Sequence, residues 1–124
     1  LQHLFTIKNR IKGENKLMNT HDKLFKTVVD NYSIFKEVDY IYCSIKNNND
    51  LLFIIFINND KYEHELQSNM IDKELDIEDM FEDIRLDFHY IPIKFVNKDH
   101  CIDYEKYMLL YEKKIKKNKK IIIK

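Results

Sequence analysis

The sequence predicts a small single-domain α/β (α+β) fold in the order α-β-β-α-β-α, with a mixed three-stranded sheet built around residues 51–57 and packed by helices. Three observations carry that expectation. Residues 51–57 read LLFIIFI, seven consecutive apolar positions rich in β-branched and aromatic side chains, which marks a strand buried on both faces. The segments on either side of that region repeat apolar residues at helical spacing instead. At 124 residues the chain is long enough for one proper core and too short for two comfortable ones.

Residues 1–17 have no clean period and contain the only glycine, Gly13. Lys12-Gly13-Glu14 can be encoded AAA-GGA-GAA, a purine-rich signal of the kind bacterial ribosomes pair with, shortly before the codon of Met18. The expectation is that Met18 is the natural start and that residues 1–17 are a leader read in frame. The domain is then residues 18–112, followed by a lysine-rich frayed tail, 113–124.

From Thr20, a plausible N-cap, Leu24, Val28, Tyr32 and Phe35 fall on one stripe widened by Phe25 and Val29, which is an amphipathic helix. In residues 40–46, Ile41, Cys43 and Ile45 alternate with Tyr42, Ser44 and Lys46, the pattern of a half-buried strand. Asn47 to Asp50 then supplies turn residues that tolerate left-handed backbone, so this strand pairs with 51–57 as a hairpin. Asp60 as N-cap with Glu63 three residues on begins a second helix, with Tyr62, Leu66 and Met70 on one face. Lys73 would fall on that same face, which predicts a break around Leu75-Asp76 and a restart capped by Asp76, with Leu75 stapled to Met80.

Residues 86–96 form the third strand. Pro92 cannot donate to a ladder, so the strand lies at an edge or its second half leaves the sheet. A last helix is expected from Asp103, with Tyr104, Tyr107, Met108 and Tyr111 as its apolar face. Helices on both sides of the sheet would explain the unbroken apolar run of 51–57. If all lay on one side, a second subunit would have to cover the other.

The zero net charge hides an asymmetry that restricts partners. Residues 1–26 carry +4, residues 113–124 carry +7 with no acid, and the 86 residues between carry −11. An acidic body gains nothing from phosphate backbones, because no counterions are released. Two cysteines make no disulfide framework, no secretory signal is visible, and no apolar run approaches the roughly 20 residues a membrane span needs. A bacterial, cytoplasmic setting without membrane contact is expected.

Candidate chemistry is sparse. Asp39, Asp50, Asp87 and His89 sit at strand ends or on one strand. Asp87 and His89, two residues apart, point to the same face, and carboxylates converging there could bind Mg²⁺ for phosphoryl or nucleotidyl transfer. The order helix, strand, strand, helix, strand is similar to that of the small nucleotidyltransferases. Their glycine-serine turn after the first strand is absent, however, and their Asp-x-Asp is reduced to Asp50 alone in Asn49-Asp50-Leu51. His100-Cys101 lacks a second ligand pair at zinc spacing, and Cys101 lacks a visible base.

The leading expectation is therefore a non-catalytic macromolecule-binding or regulatory module with an acidic body, a protein partner and a homodimer among its assemblies. Tyr40, Tyr42, Glu63, Asp72 and Asp79 are its contact residues, and no cofactor is expected. The alternatives are a nucleotidyltransferase-like domain with an eroded Mg²⁺ site on Asp50, Asp87 and His89, and weak nucleic-acid binding through Lys113, Lys114, Lys116, Lys117, Lys119 and Lys120.

Overall fold

The structure, a computed structural model, describes residues 12–59, 61 and 63–114, with side chains from His21 onward. Residues 1–11 of the expected leader, the Asp60 cap, Tyr62, and Lys116, Lys117, Lys119 and Lys120 lie outside the described residues. The elements in chain order are α1 (Lys12–Tyr32), β1 (Val38–Asn47), β2 (Asp50–Ile57), α2 (His64–Met80), β3 (Arg85–Pro92), a 3₁₀ turn (Ile93–Phe95), α3 (Lys98–Cys101) and β4 (Met108–Glu112). The sheet is mixed and four-stranded, in the order β3-β2-β1-β4. β1 runs antiparallel to β2 and β4, and β3 runs parallel to β2.

β2 is an interior strand, and its residues Leu51 through Phe56 are all buried. Alternation sorts them between two cores. Leu51, Phe53 and Ile55 join Ile41 and Cys43 of β1, Leu86 of β3, Leu24, Val28 and Tyr32 of α1, and Leu66, Met70 and Ile77 of α2. Leu52, Ile54 and Phe56 join Tyr42 and Ile102 on the opposite face, with Ile91, Ile93, Cys101, Tyr107 and Leu109 packed around them. Both long helices thus lie on one face. The other is covered by the 3₁₀ turn, α3 and the loop into β4, so the covering that would otherwise require a second subunit comes from the same chain. Each fully buried Leu, Ile or Phe of β2 contributes about 1.5–3 kcal/mol.

Several boundaries differ from expectation. α1 begins at Lys12, so Thr20 lies within the helix and does not cap it. α2 is continuous through Leu75-Asp76. Its core contacts are Leu66, Met70 and Ile77, and Lys73 is half-buried at the edge of that face, a position a long aliphatic stem tolerates because its charged end can still reach water. Leu75 and Met80 are exposed and no staple is formed.

β3 is an edge strand that ends at Pro92, after which the chain leaves the sheet. The hairpin forms as expected, but no described non-glycine residue has a positive φ. Asn47 Oδ1 instead accepts a hydrogen bond from the Asn49 N–H at 2.8 Å, and a register shift between Ile45 and Asn47 accommodates the turn. Ile45, at that end, is exposed.

The last described element is a strand rather than a helix. The Asp103 carbonyl accepts from the amides of Lys106 (2.8 Å) and Tyr107 (3.0 Å), and its side chain accepts from Glu105 N–H (3.0 Å), so the capping signal closes one turn only. Residues 108–112 then pair with the otherwise open edge of β1, where Met108 and Leu110 reach one core and Leu109 the other. A short apolar run fits either period, and satisfying the β1 backbone decides it.

The Phe53 ring, fully buried, stacks on Phe88 with centroids 5.1 Å apart. Phe53→Ala should cost about 3–5 kcal/mol in urea denaturation, and a loss below about 1 kcal/mol would contradict its central place in the core.

Candidate partner-binding surface

The core needs one side of α2, and the rest faces water. Residues 64–83 hold eight carboxylates and a single lysine, Lys73. Glu65, Asp72, Asp76, Asp79, Glu82 and Asp83 are exposed, as is Glu63 just before the helix. The ion pairs at Asp30, Asp87 and Asp99 lie outside α2. On the same outer face, Ile71 is 46% and Leu75 54% exposed. Four residues apart on a helix, they are neighbours. Of the acids read as contact residues, Glu63, Asp72 and Asp79 are all exposed. The sequence-based reading missed Ile71 and Leu75, since a predicted break in the helix had assigned Leu75 to a staple.

The two tyrosines read as contact residues are placed differently. Tyr42 is only 4% exposed and Tyr40 is half-buried, both under the segment that crosses the second sheet face. Lys98 holds that segment in place. Its ammonium lies 4.7, 5.2 and 5.3 Å from the ring centroids of Tyr40, Tyr42 and Tyr104, and donates to the hydroxyls of Tyr42 (3.0 Å) and Tyr104 (2.8 Å). Partial burial disfavours the Lys98 charge, but the Tyr104 and Tyr42 hydrogen bonds outweigh it and raise the ammonium pKa. Tyr104 in turn donates to Asp99 at 2.7 Å. The aromatic surface is thus satisfied within the fold. No local signal could have found Lys98, because its partner Tyr42 lies 56 residues away.

The strand-end acids divide. Asp39 opens the ladder beside Val38↔Ile57, whereas Asp50 closes it opposite Asn47. Strand rise puts these ends about 20 Å apart. Asp39 accepts from Asn58 Nδ2 at 2.8 Å and does not join Asp50. Asp87 pairs in register with Leu52 and His89 with Ile54, so Asp50, Asp87 and His89 share the second sheet face toward the hairpin end. Asp87 also lies 3.6 Å from the Arg85 guanidinium, and Asp50 Oδ1 is buried with no hydrogen-bond partner among the described residues. Among those residues, no group of three or more His, Cys, Asp and Glu side chains could hold a metal ion. Of the lysines read as nucleic-acid contacts, Lys113 donates to the Lys36 carbonyl at 2.7 Å and Lys114 is exposed.

A polar chain runs through the first core. Tyr90 donates to Glu74 Oε2 at 2.6 Å, and its hydroxyl is 2.8 Å from that of Tyr32. Burial, above all, holds both phenols above their ordinary range. Burial also raises the Glu74 carboxyl, opposed by the Tyr90 hydrogen bond. Cys43 is fully buried, its thiol pushed up to about 12 by burial, which fits a core residue and not a nucleophile. Cys101 is half-buried beside the exposed His100.

Two measurements follow. Because the Glu74 pKa is raised in the folded state, its contribution to stability is complete only below the ordinary carboxyl value of about 4.3 and is lost as pH rises through the raised value. Glu74→Gln keeps an acceptor for Tyr90 and removes the titration. The variant should therefore gain on wild type in thermal midpoint as pH rises above the ordinary carboxyl value, and a constant difference would refute the shift. Lys98→Ala should lower stability by about 1–2 kcal/mol through lost ring and hydroxyl contacts, and an unchanged unfolding curve would remove Lys98 from the cover.

No protein-family model matches the chain, and no curated protein matches it. A chain in the solved structure of tri-AMPylated Shewanella oneidensis HEPN toxin in complex with MNT antitoxin is similar to this one, with a TM-score of 0.49 and 11% sequence identity over 85% of this chain and 78% of that chain.

Proposed function

We propose that this protein is a non-catalytic binding module whose partner surface is the outer face of α2, and that the partner is a basic protein. One observation carries the reading: exposed Ile71 and Leu75 lie one turn apart on a helix where residues 64–83 hold eight carboxylates and a single lysine. Apolar residues supply area that can be removed from water, while the surrounding single-sign charge steers encounter and excludes acidic surfaces. A nucleic acid is a poor occupant of the same face, because its phosphates would meet carboxylates.

Asp72 and Asp76 flank Ile71 and Leu75 on α2, which makes them the place to test the charge. A synthetic amphipathic helix of Lys, Ala and Leu should bind the full chain with an affinity that falls as salt rises, read by fluorescence anisotropy. Asp72→Lys with Asp76→Lys should weaken it at least tenfold, about 1.4 kcal/mol or more. An all-Glu counterpart of the peptide should not bind. Equal affinity for the basic and acidic peptides, or indifference to the double substitution, would overturn the reading.

A further inference from the structure

A cavity of about 240 Å³ opens at the carboxyl ends of the parallel strands β2 and β3, against the start of α2. Ligands of open α/β sheets settle at that end of the strands. The lining combines two chemistries. Ile57, Leu66, Met70, Pro92 and Phe95 supply apolar surface, and Phe95 is 66% exposed. Asn59, Lys61, Glu63 and Gln67 supply an amide, a cation, a carboxylate and a second amide. Tyr90 also lines the cavity, but its hydroxyl is engaged with Glu74 and Tyr32.

The polar groups come from the connection between β2 and α2 and from the helix it enters. Asn59 Nδ2 donates to the Lys61 carbonyl at 3.1 Å, which fixes the direction of the amide. The atom left over is Oδ1, an acceptor that is buried with no hydrogen-bond partner among the described residues. Such an acceptor costs about 1–3 kcal/mol, which an N–H from a ligand would recover. The Glu63 carboxylate adds a second acceptor and a negative charge, so together the two favour a cationic donor. Lys61 favours the opposite sign. Glu63, at the N-cap of α2, gives the helix no side-chain capping bond, and the positive end of the helix adds to the pull of Lys61 on an anion.

The occupant must therefore carry a cation, an anion and an apolar body. Pockets for drug-sized ligands run to roughly 300–1,000 Å³. This one is smaller, with room for a molecule the size of one amino acid. A side chain inserted by a protein would bring one charge at most and leave the other group unanswered.

We propose that this cavity binds a free α-amino acid with an apolar side chain. Asn59 Oδ1 and Glu63 receive its ammonium, Lys61 at the start of α2 receives its carboxylate, and its side chain packs among Ile57, Leu66, Met70 and Pro92. The proposal goes beyond the partner-binding reading and does not rest on it.

The test titrates L-leucine, L-isoleucine, L-methionine and L-phenylalanine into the full chain by calorimetry. At least one should bind about tenfold or more tightly than glycine, which lacks the apolar body. The amide of the best binder, without a carboxylate, and its N-acetyl derivative, without an ammonium, should each lose a similar factor. Lys61→Met should remove the discrimination against the amide, and Glu63→Gln the discrimination against the N-acetyl derivative. Both residues are exposed, and an unchanged thermal midpoint without ligand confirms that each variant is folded. An amide that binds as tightly as the amino acid would make the occupant the first residue of a peptide, and an N-acetyl derivative that does so would make it the last. Either result overturns the assignment to a free amino acid. So does failure of all four to bind at millimolar concentration, or binding that both substitutions leave unchanged.

Discussion

The structure depends on burying β2 from both sides. A strand with six consecutive buried side chains cannot lie at a sheet edge or face water, so it requires neighbours in the sheet and a layer above and below. β1 and β3 supply the neighbours, and α1 with α2 supply one layer. The second layer is the unusual part. It is built from a 3₁₀ turn, a four-residue helix and a loop, elements with too little regular structure to bury much by themselves. Ile102 provides the buried apolar contact, and Lys98 ties the loop to the sheet through three tyrosine rings.

That arrangement determines which surfaces remain for a partner. The second sheet face is divided along its length. Toward the end of β2 it is apolar and covered, and toward the hairpin it carries Asp50, Asp87 and His89. Parallel pairing of β2 with β3 aligns these polar residues on one face without adding a further ligand to them. The first sheet face is closed by helices. Of the exposed apolar groups, Ile71 and Leu75 form a pair on a regular element, and Phe95 adjoins the cavity that α2 helps to build.

Much of the architecture was legible because it rested on local periodicity. The buried strand, the hairpin, the α1 stripe of Leu24, Val28 and Tyr32, and the departure of β3 at Pro92 each follow from spacing or from backbone chemistry that a short segment carries itself. What was not legible depended on distant partners. β4 is a strand because β1 had an open edge, a fact located more than sixty residues upstream of Met108. Lys73 seemed to break α2 because side-chain type was weighted over the length of its stem. Tyr42 read as exposed because alternation tells which side of a strand a residue is on, and not what covers that side. The charge asymmetry was visible in the sequence, whereas the cavity, made by three elements and a turn, was not.

The acidic helix is arranged against its own stability. Asp72 with Asp76 and Glu74 with Glu78 are like charges four residues apart, each pair disfavouring the helix by about 0.2–0.5 kcal/mol. Glu78 and Asp79 lie in the last turn of α2, which has no basic residue, where the helix dipole favours positive charge. Ile71 and Leu75 add exposed apolar area that the core does not use. Toward the sheet the fold uses Leu66, Met70 and Ile77 and, through Tyr90, the Glu74 carboxylate, so the exposed acids and the Ile71–Leu75 pair do not serve packing. Each of the three is relieved by the same event, the approach of a surface that is positively charged and partly apolar. Departures from local stability that share one remedy are the physical pattern expected of a binding face.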